Sequence, residues 1–247
     1  MHFGALAVDL RALYQNTVIQ KPITRHYAYE FVFHKLLEHI DLINLKYFLV
    51  EFYFNDENRN VFVIEEGFSK ELIERHKKRN GPIFGIEDAK SLFYPKINYD
   101  LYSKTYWEKS HPDLIRNAYS ILNGIKDGNL DVNEYFDLDK WAKYFAIIDL
   151  TSSLHGSSPK SVRLFYNPAS GKFEPIGFDA HYSGLLGLSD FIILDFLDVN
   201  DSNCSLKLLN ANEHPWVCKE KEWYLKFLRK KDNSLNQEFI DSYLRYL

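Results

Sequence analysis

An α+β fold built from antiparallel hairpins and packed helices is predicted by three observations. Two stretches rich in aromatic and β-branched residues, 46–64 and 161–179, are each interrupted by turn-forming residues and read as hairpins. Stretches with helical apolar spacing lie apart from those hairpins in the sequence, which disfavours a βαβ-wound sheet. The chain has 247 residues with 17 Tyr and 19 Phe, enough to bury a sizeable core. Only 11 Gly and 8 Pro argue against repeats or low-complexity sequence. We therefore expect one domain over residues 1–247, with at most a small appendage.

The elements follow in order. Residues 26–40 place Tyr27, Phe31, Leu36, Leu37 and Ile40 at helical spacing and predict an amphipathic helix. Residues 46–54 predict a strand, 55–60 a turn and 61–64 its hairpin partner. Ser69 is placed to cap a helix that runs to Asn80 and is stopped by Gly81-Pro82. A short strand is expected at 83–86. Helices are expected at 111–125 and 137–152, the second capped by Asp137 or Asp139. The 161–179 hairpin folds about Ser170, which sets Ser161 opposite Asp179, with Arg163 on the Ser161 face. Residues 182–210 mix apolar patches with Gly, Asp, Asn and Ser and give no assignment. Helices at 220–230 and 235–247 close the chain. The aromatic stripes at 27–33 and 48–54 are assigned to the core.

The net charge is −4 and no basic stripe is present, so nucleic acid is a poor partner. The dense cluster Arg75-His76-Lys77-Lys78-Arg79 suits a helix C-terminus, where cations are favoured. Cys204 and Cys218 match no zinc spacing and read as ordinary thiols. No apolar run approaches the roughly 18 residues of a membrane span. Met1-His2-Phe3-Gly4 lacks the regions of a signal peptide, which predicts a cytoplasmic protein. A segment cut from a longer exported chain would read the same.

The hairpin end concentrates the chemistry. The Asp179 carboxylate, the Ser161 hydroxyl and the Arg163 guanidinium converge there, a set that suits a divalent metal and a phosphate chain. The structural alternatives are a turn-forming Asp179 and an Arg163 paired with Asp149 or Asp179. Lys70 lies four residues after Glu66, a spacing that also makes an ordinary exposed helical pair. His155, Asp179 and His181 offer a different donor set, one that favours zinc or iron and a metal-dependent hydrolase. No H-E-x-x-H pair accompanies them. His34 and His39 fall on different helix faces and read as structural, and the four Trp residues have no spacing of a binding box.

Several blocks in this order resemble the CotH-type (spore-coat protein H) atypical kinase family, from about residue 21 to the C-terminus. They are Thr24-Arg25-His26, then Phe62-Val63-Ile64-Glu65-Glu66-Gly67-Phe68-Ser69-Lys70-Glu71-Leu72-Ile73-Glu74 and Asn80-Gly81-Pro82-Ile83. Asp149-Leu150, Leu154-His155-Gly156 and Val162-Arg163-Leu164-Phe165-Tyr166-Asn167-Pro168 follow, and Glu174-Pro175-Ile176-Gly177-Phe178-Asp179 closes the match. The resemblance implies a protein-kinase-like fold without a standard glycine-rich loop. It also implies transfer of the γ-phosphoryl group of ATP to a protein serine or threonine, with Mg²⁺ or Mn²⁺. In that reading Asp179 binds metal, assisted by Ser161, and Glu66 and Lys70 form the phosphate-holding pair. Arg25 and Arg163 clamp phosphates, and Asp149 or His155 orients the acceptor hydroxyl. Phosphoryl transfer needs these parts: cations on phosphates, a held metal and a positioned base. One departure bears on activity. The family usually carries Asn where Ser161 stands, and often an Asp a few residues earlier, where this chain has Gly156, Ser157 and Ser158. A hydroxyl is a poorer hard-cation ligand than an amide oxygen, so a pseudokinase that binds nucleotide or a partner without transfer is the alternative. The Arg25 block begins close to the start of the chain, which is compatible with a nucleotide lobe shortened at its N-terminus.

Overall fold

The computed structural model describes residues 17–86, 99–180 and 221–247. The readings for residues 182–210, His181, Cys204 and Cys218 lie outside them. Two antiparallel sheets and a set of helices make up the described chain, in agreement with α+β. The first sheet holds β1 (Thr17–Gln20), β2 (Tyr47–Phe54) and β3 (Glu57–Glu66) in the order β1-β3-β2. The second holds β4 (Ile83–Ile86), β5 (Tyr99–Leu101), β6 (Arg163–Asn167) and β7 (Lys172–Ile176) in the order β5-β4-β6-β7. Pro175 donates no backbone hydrogen bond, and it sits on the edge strand, where that is tolerated.

The β2–β3 turn is tighter than predicted. Asn55 and Asp56 both adopt positive φ, 51° and 60°, and Phe54 pairs directly with Glu57. Two left-handed residues make the two-residue hairpin turn that matches strand twist, so β3 extends back to Glu57. The stripe at 48–54 is not core among the described residues: Phe48, Leu49, Tyr53 and Phe54 are exposed.

Helix α1 (Tyr29–His39) begins after two residues with positive φ, His26 and Tyr27, which close off a 3-10 turn at Pro22–Arg25. Glu30, Phe33, His34 and Leu37 face inward, while Tyr27 is exposed. Helix α2 (Lys70–Arg75) ends five residues before the predicted stop. Lys77 takes φ 55°, the Lys78 amide donates to Ile73 O and the Lys77 amide to Glu74 O, which is the Schellman pattern. A lysine thus fills a position that glycine usually takes.

The remaining helices are α3 (Lys104–Ser110), α4 (Pro112–Lys126), α5 (Val132–Tyr135), α6 (Leu138–Leu150), α7 (Leu154–Ser157), α8 (Lys221–Leu228) and α9 (Gln237–Tyr246). Asp137 rather than Asp139 caps α6, accepting from the Lys140 amide. Among the described residues no helix is long and apolar enough to cross a membrane. Helix α6 is the centre of the core: Trp141, Tyr144, Phe145 and Ile148 are buried, and Phe227 of α8 lies 5.0 Å from the Trp141 ring. The α4 face at Ile115, Ala118, Leu122 and Ile125 and the α9 residues Phe239 and Tyr243 close around it.

A smaller cluster, including Ile43, Leu45, Ile73, Phe165 and Ile176, packs α2 and the segment before β2 against the second sheet. Ile43 bridges Ile176, and the Gly177 amide donates to Ile43 O at 2.9 Å. A Cβ on Gly177 would overlap Leu37 Cδ1 and lie 3.2 Å from Phe33 Cε1. The end of β7 is therefore pressed onto α1. We predict that Gly177→Ala lowers unfolding free energy by about 1–3 kcal/mol, the usual cost of overpacking, measured by urea denaturation. Unchanged stability would show that β7 and α1 are not in this contact.

Candidate functional site

Beyond Ile176 the chain leaves the strand path. Asp179 has φ 57°, a left-handed conformation that aspartate tolerates better than most residues. The β6–β7 register pairs Arg163 with Ile176, one residue from the predicted alignment. Ser161 still reaches Asp179 because of that left-handed turn: Ser161 Oγ donates to Asp179 Oδ2 at 3.0 Å. His155 Nδ1 lies 2.8 Å from the Asp179 carbonyl oxygen and 3.3 Å from Oδ2. A carbonyl only accepts, so Nδ1 carries the proton in that contact. Of the predicted site residues, Asp179 and Ser161 are thus brought together, with His155 rather than Arg163 as their third member.

The loop that carries His155 and Ser161 is held by the core. Tyr144 Oη donates to Gly156 O at 2.8 Å and Trp223 Nε1 to Ser157 O at 3.1 Å. Burial, with the charge of Glu30 second, pushes the Tyr144 hydroxyl well above its ordinary pKa, so it stays a donor. Ser157 Oγ pairs with Tyr224 Oη at 3.0 Å. A Cβ on Gly156 would stand 3.0 Å from Ala180 Cβ, so glycine permits the loop to lie against the residue after Asp179.

Arg163 pairs with neither Asp149 nor Asp179. Its Nε donates to Tyr102 Oη at 2.8 Å, and Nη1 donates to the carbonyls of Lys160 and Val162. The guanidinium stacks among Phe178, Phe68 and Tyr102, at 4.5, 5.3 and 5.9 Å from their ring centroids. Among the described residues Nη2 makes no hydrogen bond, which leaves a donor edge beside Phe178. Phe68 and Tyr102 also wall a cavity of about 330 Å³, with Lys70, Asn80, Tyr106 and Trp107 around it.

The predicted Glu66–Lys70 pair is replaced. Glu66 is 5% exposed, and its Oε2 accepts from Arg75 Nη2 at 2.7 Å and from the Lys46 amide at 2.8 Å. Lys70 points outward to Glu74, at 3.2 Å. A six-residue helix brings its last residue back to the strand end, whereas its first residue faces solvent. Both Glu65 and Glu66 are buried. Glu65 accepts from Gln20 Nε2 at 2.7 Å.

Asp149 lies near the end of α6, where it accepts from the Tyr243 hydroxyl of α9. That places it in the core contact between two helices, so α9 touches a predicted site residue. Arg25 closes the turn before α1, and His181 lies outside the described residues. Among the described residues no group of three His, Cys, Asp or Glu side chains is arranged to hold a metal.

Two site residues were missed. Glu30 is fully buried, and its Oε1 accepts from the Asp179 amide at 2.7 Å and the Ala180 amide at 3.4 Å. Arg75 was read only as a helix-end cation. The signal for Glu30 was its spacing: Phe33, His34 and Leu37 follow at i+3, i+4 and i+7, which is one helix face. No protein-family model matches the chain, and no curated protein matches it.

The charge pairing predicts unequal costs for two nearby cations. Arg75→Ala leaves the buried Glu66 carboxylate without its guanidinium and should lower stability by about 2–3 kcal/mol. Lys70→Ala should change it by less than about 0.5 kcal/mol. Denaturant titration of both variants checks this, and the reverse order would contradict the pairing.

Proposed function

We propose that the chain is a CotH-type kinase-like protein that binds ATP with Mg²⁺ or Mn²⁺. It transfers the γ-phosphoryl group to a serine or threonine of another protein. The observation that carries this reading is the left-handed Asp179 at the end of a hairpin, with Ser161 Oγ at 3.0 Å from its carboxylate. Both groups offer oxygen, the donor that hard cations take. Magnesium is commonly held by one or two carboxylates, several waters and the substrate phosphates, so this small donor set fits. Bound there, the metal would neutralise charge on the phosphates. Arg163, stiffened by its aromatic cage, would offer Nη2 to a phosphate oxygen. The cavity beside Phe68 and Tyr102 has room for the nucleoside.

A second reading, nucleotide binding without transfer, is favoured by two features. Serine stands at 161, and the Asp149 carboxylate is engaged with the Tyr243 hydroxyl of α9. His155 is then the nearer group for an acceptor hydroxyl.

Thermal shift with ATP plus Mn²⁺ tests the reading. Asn tolerates the left-handed backbone, so Asp179→Asn removes charge and keeps the conformation. At a hundredfold excess over Kd the parent should gain about 2.7 kcal/mol, and Asp179→Asn should gain little. Transfer of radiolabelled phosphate then separates kinase from pseudokinase. Stabilisation by Zn²⁺ alone, with none from nucleotide, would contradict both readings and favour the hydrolase that uses His155, Asp179 and His181.

A further inference from the structure

We infer that Glu30 is the positioning residue for Asp179. The consequence for ligand binding rests on the ATP–metal reading, while the geometry stands without it. A fully buried carboxylate costs several kcal/mol unless it is well partnered. Glu30 Oε1 takes two successive backbone donors, the amides of Asp179 and Ala180. Successive amides around a left-handed residue form a concavity that binds anions, and here the anion is a side chain from α1. The charge offsets the cost of the left-handed backbone and sets the direction in which the Asp179 side chain leaves it. That direction brings Oδ2 to Ser161.

Glu30 is itself seated. His34, one turn further along α1, lies with Nε2 at 3.6 Å from Glu30 Oε1. Its Nδ1 accepts from the Leu45 amide at 3.2 Å, so the proton of the neutral ring is on Nε2, toward Glu30. The segment that enters β2 is thereby linked to the turn at Asp179 and Ala180 through two side chains of one helix. Movement of α1 would move the Asp179 backbone with it.

The test compares Glu30→Gln, which keeps an acceptor oxygen, with Glu30→Leu, which keeps the bulk and has none. Two readouts are taken: amide hydrogen exchange at Asp179 and Ala180 by NMR without nucleotide, and Mn²⁺-ATP affinity by EPR counting of free Mn²⁺. Glu30→Gln should keep both amides protected and hold Kd within about threefold. Glu30→Leu should lose protection at both and weaken Mn²⁺-ATP binding about tenfold or more. A folded Glu30→Leu that keeps protection, or loses it with unchanged affinity, overturns the inference. If Glu30→Leu does not fold, the parent decides: an Asp179 amide that exchanges as fast as an exposed loop overturns it. If the parent binds no Mn²⁺-ATP, the kinase-like reading fails, and the exchange data still judge the positioning role.

Discussion

The buried carboxylate of Glu30 is the constraint on which the rest of the site depends. It lies on the inward face of α1, and its natural partners are backbone amides that have left the sheet. A strand that continued past Ile176 would have directed those amides to a ladder partner. The left-handed Asp179 turns them toward Glu30 instead, and the same turn aims the Asp179 side chain at Ser161 and His155. Close packing makes the arrangement specific. Gly177 admits Leu37 on one side, and Gly156 admits Ala180 on the other. A side chain at either glycine would push the loop and the strand end apart.

Two further buried charges tie the scaffold that surrounds this point. Glu66 holds the end of α2 through Arg75, at the edge of the first sheet. Glu174, on β7, receives Lys78 at 2.9 Å, Lys140 at 3.2 Å and the Asn167 amide group at 2.7 Å. Each carboxylate gathers groups from more than one element, so each fixes how those elements sit together. Such pairs contribute modestly to net stability, because desolvation offsets most of the attraction, but removing one member is costly. β7 is thus held through Glu174, and the turn that follows it is held through Glu30.

Much of this was legible in the sequence. The hairpin at β6–β7, the strand at β4 and the helices at α4 and α6 follow from periodicity, from the turn about Ser170 and from the Asp137 cap. The convergence of Asp179 with Ser161 was also legible, although for a register one residue off. Periodicity cannot foresee a left-handed residue, and several boundary misreadings trace to one. His26 and Tyr27 delay the start of α1, Asn55 and Asp56 lengthen β3, and Lys77 ends α2 early. The Glu66–Lys70 pair was implied by the family resemblance, yet where α2 ends decides which cation turns back to Glu66. Glu30 was missed because a carboxylate on an apolar face is read as solvent-facing until its long-range amide partners, 149 residues away in sequence, are known.

The kinase-like reading depends on one claim, that Asp179 anchors a hard metal carrying a nucleotide. Anomalous diffraction at the manganese edge tests it most directly, on crystals grown with Mn²⁺ and a non-hydrolysable ATP analogue. The account predicts an anomalous peak about 2.0–2.3 Å from an Asp179 carboxylate oxygen, with phosphate oxygens completing the coordination. A nucleotide bound with its metal away from Asp179, or a metal ligated by His155 without phosphate, would contradict it.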